Sequence, residues 1–174
     1  MRSLDDILPA TRPSTARRAL ENAAIGMLPL LVGGVSGLAT LDGLRGWYRT
    51  LDQPSWNPPD RLFGPVWTGL YALMGGSLVQ VVRATEPSIG PARRVALALF
   101  AGQLALNGAW SWIFFSRHAV GAALAEILVL WLAIVATIAS FAAIRPSAAA
   151  LLVPYLAWVT FATALTAEIW RRNR

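Results

Sequence analysis

The chain alternates long apolar runs with short polar connections. Each of five runs has close to the roughly 20 residues that an α-helix needs to cross the hydrocarbon core of a bilayer. The short alternating segments of β-barrel strands are absent, so helices are the spanning elements. The pattern predicts an all-α membrane protein, a bundle of five transmembrane helices. The predicted helices cover residues 23–41, 65–82, 95–115, 119–144 and 147–170.

The connections indicate how these helices are arranged. Only residues 116–118 separate the third run from the fourth, and Arg145 and Pro146 separate the fourth from the fifth. Such short turns make consecutive helices antiparallel neighbours. Residues 1–22 are polar, and a signal peptide would be expected to have a shorter apolar run after them. We therefore expect a disordered polar tail over residues 1–22 and one transmembrane domain over residues 23–171.

The longest connection, residues 42–64, is rich in aromatic residues and proline. A flexible linker would carry few large aromatic side chains, whereas Trp and Tyr favour the depth of the membrane interface. Proline also stiffens the backbone. We expect a structured lid here, built around Trp47, Tyr48, Pro54, Trp56, Pro58 and Pro59.

Composition and charge support the membrane interpretation. The chain is 56% hydrophobic and 14% charged, against about 25% charged residues in a typical soluble domain. The net charge is +6, and all 15 basic residues are arginines that lie outside the apolar runs. That distribution fits lipid headgroups better than a nucleic-acid footprint. The absence of cysteine excludes a disulfide framework and a thiolate nucleophile, and we expect no metal site.

Two stripes run along the third predicted helix. Gln103, Asn107, Trp110 and Phe114 share one face, and because amides in lipid need partners, that face should point into the bundle. Small residues form the second stripe, which would let another helix approach closely, either inside the bundle or across a homodimer seam. The second stripe consists of Ala98, Gly102, Ala105 and Ala109.

Few residues carry groups that could do chemistry. Glu126 is the one carboxylate well inside a run, but matching acids, histidines or lysines for a proton relay are absent from the other runs. A structural, hydrogen-bonded Glu126 is therefore favoured. Glu168 lies beside Arg171 and Arg172 at a helix end. An aromatic stripe on the fifth helix fits bundle core or a ligand wall: Tyr155, Trp158, Ala162, Leu165 and Ile169.

Four ordered motifs resemble the translocator protein family, also called tryptophan-rich sensory proteins or peripheral-type benzodiazepine receptors. They are Trp47-Tyr48 through Pro54-Ser55-Trp56-Asn57-Pro58-Pro59 with Phe63 and Val66-Trp67-Thr68; Gly102-Gln103-Leu104-Ala105-Leu106-Asn107 with Trp110 and Ile113-Phe114-Phe115; Ala123-Leu124-Ala125-Glu126; and Pro154-Tyr155-Leu156-Ala157-Trp158-Val159-Thr160-Phe161-Ala162-Thr163. The resemblance extends over residues 26–171.

The resemblance implies five transmembrane helices, a homodimer, and a cavity beneath the lid that binds protoporphyrin IX, haem-type porphyrins or synthetic hydrophobic ligands. No cofactor is required; the porphyrin is a ligand. Some bacterial members are reported to break down porphyrin in light through two tryptophans, which match Trp67 and Trp158. The ligand-binding positions implied here are Trp56, Pro58, Pro59, Phe63, Gly64, Val66, Trp67, Tyr71, Asn107, Trp110, Val129, Trp158, Ala162 and Leu165.

Three functions remain open at this level. The resemblance favours a porphyrin-binding receptor, sensor or transporter. The alternatives are a light-dependent porphyrin-degrading enzyme and a small structural membrane subunit. Ala122 and Ala167 replace a tryptophan and a tyrosine that animal members use for ligand and cholesterol, which argues against tight sterol binding. The expected location is a bacterial cell envelope, with the inner membrane favoured.

Overall fold

The computed structural model describes residues 14–85 and 89–174. These residues form helices without any strand. Short 3-10 turns at Trp47–Thr50 and Asp60–Leu62 lie in the first loop. The helices are α1 (Thr15–Arg45), α2 (Phe63–Val82), α3 (Gly90–Ser111), α4 (Val120–Ala142), α5 (Pro146–Ala150) and α6 (Val153–Arg172).

Within these described residues, five helical segments are long and apolar enough to cross a membrane, which confirms the predicted fold class. The fourth is the most apolar, with a mean hydropathy of 2.4. Helices α5 and α6 together form the fifth segment. The five segments are Thr15–Leu38, Asp60–Val82, Gly90–Ser116, Val120–Ala142 and Pro146–Arg172.

Helix α1 is longer than the sequence pattern predicted. It begins at Thr15 instead of residue 23, so residues 15–22 of the predicted tail are helical, while residues 1–13 lie outside the described residues. The extension has local support, because the Ser14 hydroxyl accepts a hydrogen bond from the Arg17 amide and Arg17 pairs with Glu21 one turn later. Glu21 also binds Arg83 at the end of α2.

The other helix ends also differ from the apolar runs. Helix α3 begins five residues before the predicted start and continues through a π-helical turn, Trp112–Ser116. His118 follows with a positive φ of 52°, which closes the tight turn into α4. The fifth span was predicted as one helix but breaks at Leu151 and Leu152. Pro154, in the first turn of α6, has no backbone N–H to continue a helix from α5.

The helices pack in a ring. Helix α1 lies between α2 and α3, α3 contacts α4, α4 contacts α6, and α5 returns to α2. Large apolar side chains such as Met74, Ile134 and Phe141 fill the half of the bundle away from the lid. Polar contacts close that half, because the Ser77 hydroxyl donates to the Ala148 carbonyl and the Ser147 hydroxyl to Gln80. At the lid end, a cavity remains inside the ring.

Candidate ligand-binding site

A cavity of about 340 Å³ occupies the lid end of the bundle. Its walls come from the second half of α1, the first half of α2, the end of α3, the start of α4 and the second half of α6. All five spans therefore contribute. The volume lies within the roughly 300–1,000 Å³ that is usual for small-molecule sites.

Most of the predicted ligand-binding positions line this cavity, and five do not. Val129 is 53% exposed on the outer face of α4. Trp56 lies in an outer layer, 47% exposed, with its ring 5.8 Å from that of Phe161, which lines the wall. Pro58, Pro59 and Val66 also lie outside the lining. The predicted positions that line the cavity are Phe63, Gly64, Trp67, Tyr71, Asn107, Trp110, Trp158, Ala162 and Leu165.

The two tryptophans singled out by the sequence meet in the cavity wall. The ring centroids of Trp67 and Trp158 are 6.4 Å apart and nearly perpendicular, at 85°. Trp67 also stacks on Tyr71 at 5.4 Å, and Phe63 meets the edge of Trp158 at 6.1 Å. Edge-to-face and offset contacts of this kind hold aromatic rings in fixed orientations. The wall between α2 and α6 is thus a continuous aromatic surface.

Asn107 joins two tyrosines beneath the tryptophans. The Tyr71 hydroxyl donates to Asn107 Oδ1 at 2.5 Å, and Asn107 Nδ2 donates to the Tyr155 hydroxyl at 3.2 Å. All three side chains are buried. The inward direction predicted for Asn107 agrees with this network, which connects α2, α3 and α6.

The lid is an ordered structure held by its own side chains. The Tyr48 hydroxyl donates to Asn57, the Asn57 amide donates to Gln53, and Gln53 Nε2 donates to the Tyr48 carbonyl. Burial raises the pKa of Tyr48 to about 12. Arg49 pairs with Asp60 at 3.0 Å. The structured lid predicted from the Trp and Pro content is therefore present.

Contacts with three other helices hold the lid in place. Asn173, just after α6, accepts a hydrogen bond from the Asp52 amide and donates one to the Asp52 carbonyl. The Trp47 ring stacks on His118 before α4, with centroids 4.2 Å apart, and meets the edge of Phe114 beyond α3. These contacts cover the cavity on the side of α3, α4 and α6.

Sequence reasoning missed the α1 wall of the site. Gly33, Gly34 and Gly37 line the cavity together with aliphatic and hydroxyl neighbours on the same helix. The Gly33-x-x-x-Gly37 spacing indicated only a close helix approach, which Gly33 does make against the Tyr71 ring. Phe114 and Phe115 of the π-helical turn, and Ile127 and Leu130 of α4, were missed as lining residues as well. Aliphatic residues inside long apolar runs carry no distinguishing signal.

Three side chains have buried polar atoms that lack hydrogen-bond partners within the described part of the chain. Both carboxylate oxygens of Glu126 are shielded from solvent without a partner, so the hydrogen-bonded role predicted for this residue is wrong. Gln103 is 1% exposed and its amide is equally unpartnered. The Trp110 indole nitrogen, in the cavity wall, is a third unpartnered group. Glu168, by contrast, forms ion pairs with Arg171 and Arg172.

The site offers aromatic faces, amides and hydroxyls. Within residues 14–85 and 89–174, no group of three His, Asp or Glu side chains could hold a metal ion. The aromatic faces can bind a flat apolar molecule by stacking, and the amides and hydroxyls can orient it.

Comparison with known proteins gives the family. Residues 25–171 match the TspO/MBR family. The chain belongs to that family. Among its relatives, the tryptophan-rich protein TspO of Chlorobaculum tepidum is 42% identical over 150 residues, which is 84% of this chain and 91% of the relative. The human translocator protein is 44% identical over 136 residues, 76% of this chain and 77% of the human protein.

A third relative is named as a sensory protein. The tryptophan-rich sensory protein of Cereibacter sphaeroides is 40% identical over 127 residues, which is 73% of this chain and 77% of the relative. Family membership and the five apolar spans together make this TspO/MBR chain an integral, multi-pass membrane protein.

Proposed function

We propose that this TspO/MBR-family chain binds tetrapyrroles such as protoporphyrin IX in the cavity and acts as a membrane receptor, sensor or transporter. The observation that carries the proposal is the aromatic wall of Trp67, Tyr71 and Trp158 inside an apolar cavity. A porphyrin is a flat apolar ring, and its face stacks favourably on indole and phenol rings. Because the Trp67 and Trp158 rings are nearly perpendicular, a bound porphyrin would stack on one of them and meet the edge of the other.

The edge of the ligand has partners near the lid. Protoporphyrin carries two propionates, and the arginines of the first loop offer bidentate carboxylate recognition. Arg49 already pairs with Asp60, whereas Arg45 and Arg61 are exposed where α1 ends and α2 begins. We expect the propionates to point toward these two arginines while the ring lies against the tryptophans.

A fluorescence titration tests the binding proposal. Protoporphyrin IX added to the purified protein in detergent should quench tryptophan fluorescence saturably. The double variant Trp67→Phe/Trp158→Phe should lose that saturable quenching. The matched control is Trp112→Phe/Trp170→Phe, because these tryptophans are exposed and lie outside the lining. Absence of saturable binding to the unaltered protein would favour a structural subunit and overturn the proposal.

A second candidate function is light-dependent porphyrin degradation. It is favoured by the 6.4 Å approach of Trp67 and Trp158 in the wall. An indole there can donate one electron to a photo-excited porphyrin, which leaves an indole radical cation and a porphyrin radical anion. Breakdown of the ring then needs dissolved dioxygen as the oxidant. Illumination with the Soret band as readout should show loss faster than for free porphyrin in detergent, and equal rates would refute the enzyme.

The location of the protein in the cell is also a proposal. We propose a bacterial cell envelope, supported by the bacterial relatives at 42% and 40% identity. Fractionation of a bacterial expression host into inner and outer membranes, followed by immunodetection, tests the location.

A further inference from the structure

Among the described residues that line the cavity, the exposed ones lie on two helices. Lining residues from the lid, α3, α4 and α6 are buried or half-buried. The cavity therefore reaches the outer surface of the bundle between α1 and α2, where the surroundings are lipid. The exposed lining residues are Gly34, Gly37 and Leu41 on α1 and Gly64 and Thr68 on α2.

The packing of α1 against α2 explains this opening. The helices touch closely away from the lid, where a Cβ on Gly75 would collide with the Gly26 carbonyl, and again where Gly33 meets the Tyr71 ring. Toward the lid, ideal Cβ atoms on Gly34, Gly37 and Gly64 would meet nothing within 4 Å. The two helices therefore diverge from Gly33 onward and leave a slot.

The slot is compatible with lipid. The Thr40 hydroxyl donates to the Ser36 carbonyl, and the Thr68 hydroxyl donates to the Gly64 carbonyl. Hydroxyls bonded to their own helix present no unsatisfied donor to hydrocarbon. An apolar molecule dissolved in the bilayer can pass them without stripping water from a polar group.

The alternative route, through the lid from water, is obstructed by contacts. Tyr48 is only 3% exposed, and Asn173 binds both the amide and the carbonyl of Asp52. Opening the lid would break these bonds and separate Trp47 from His118. The span formed by α1, in contrast, is the least buried of the five described spans. Only 6% of the residues in its most apolar stretch are buried.

We propose that the cavity takes its ligand laterally from the bilayer, through a portal between α1 and α2 rimmed by Gly34, Gly37, Leu41, Gly64 and Thr68. The inference rests on the proposed binding function and adds the route. Arg45 and Arg61 lie at the lid end of the portal, at the level where an amphiphilic tetrapyrrole keeps its carboxylates at the membrane surface while the ring passes between the helices.

A reducible cross-link across the portal tests the route. The contacts of Gly26 with Val79 and of Gly33 with Tyr71 give an antiparallel register that sets Gly37 opposite Thr68. The chain has no cysteine, so a Gly37→Cys/Thr68→Cys variant can be bridged specifically with a reducible bifunctional thiol reagent. The control pair Gly26→Cys/Val79→Cys bridges the same helices at their closed end.

Transfer of protoporphyrin IX from phosphatidylcholine vesicles to reconstituted protein is followed by tryptophan quenching. Bridging the portal pair should slow uptake by about tenfold or more, as expected when an opening step limits the rate, and a reductant should restore it. Protein that is loaded with porphyrin before bridging should also release it more slowly, by a similar factor. A reagent that merely occupied the cavity would not slow this release. The control pair should change neither rate.

The outcomes separate the route from the function. If the bridged portal variant takes up and releases porphyrin as fast as its reduced form, the portal is overturned while binding stands. Equal slowing by the Gly26/Val79 bridge also overturns it, because rigidity of the helix pair would then explain the effect. If the unaltered protein binds no porphyrin saturably, the proposed function fails first and the route fails with it.

Discussion

Asn107 is a buried amide at the centre of a hydrogen-bond network inside the bundle. It satisfies the hydroxyls of Tyr71 and Tyr155 at once and so connects three helices beneath the cavity. Gln103, one turn away on the same face of α3, is buried to a similar degree but has no partner within the described chain. Two amides in equivalent settings should therefore contribute to stability with opposite signs.

Replacement of each amide by leucine tests this contrast. Asn107→Leu leaves two buried tyrosine hydroxyls without their partner and should lower the free energy of unfolding by about 2 kcal/mol. Gln103→Leu removes a buried unpartnered amide and should leave the stability unchanged or raise it. Thermal unfolding in detergent, followed by tryptophan fluorescence, measures both. Equal losses in the two variants would contradict the assignment.

The helices themselves were largely predictable, because lipid requires long apolar helices wherever the chain crosses it. The start of α1 was not, since the charged residues Arg17 and Glu21 lie outside the apolar run and belong to the helix through an ion pair and a contact with Arg83. The break before α6 depends on Pro154, which a hydropathy run does not register as a helix start.

The site was predictable where residue type is unusual. Trp67, Asn107 and Trp158 stood out through family motifs and polarity, and they do line one cavity. The α1 wall was missed because glycine and aliphatic residues occur on every face of that helix, so no periodicity marks its inner face. Val129 shows the converse, since a position transferred from the family lies on the outer surface of this chain.

The close contact between α1 and α2 gives a prediction about the packing of these two helices. In Gly75→Ala the new Cβ would collide with the backbone carbonyl of Gly26, and the helices must separate, which should cost about 1–3 kcal/mol. Gly69→Ala, in the same helix, adds its Cβ into open space and should be neutral or stabilise by up to about 1 kcal/mol through helix propensity. The melting temperature of Gly75→Ala should fall, whereas that of Gly69→Ala should stay the same or rise. A Gly75→Ala protein as stable as the unaltered chain would refute the tight contact.

At the scale of the whole molecule, the outer face of α3 bears on assembly. Ala98, Gly102 and Ala105 are exposed and Ala109 is half-buried, so internal packing does not account for this stripe. The predicted homodimer seam would use it, because small side chains let a second helix approach closely. Helix α3 lies on the opposite side of α1 from α2, so a dimer formed there leaves the portal between α1 and α2 uncovered.

A leucine at the centre of the stripe tests the seam. Gly102→Leu should hold two copies apart and shift the detergent-solubilised protein from dimer to monomer in light scattering coupled to size exclusion. Gly69→Leu is the matched control, an exposed glycine with equally open space around its Cβ, and should remain dimeric. Because one chain supplies the whole described lining, the monomeric variant should still bind protoporphyrin IX with unchanged affinity. A dimer that survives Gly102→Leu would place the seam on another face, and loss of porphyrin binding on dissociation would mean that the cavity needs its partner.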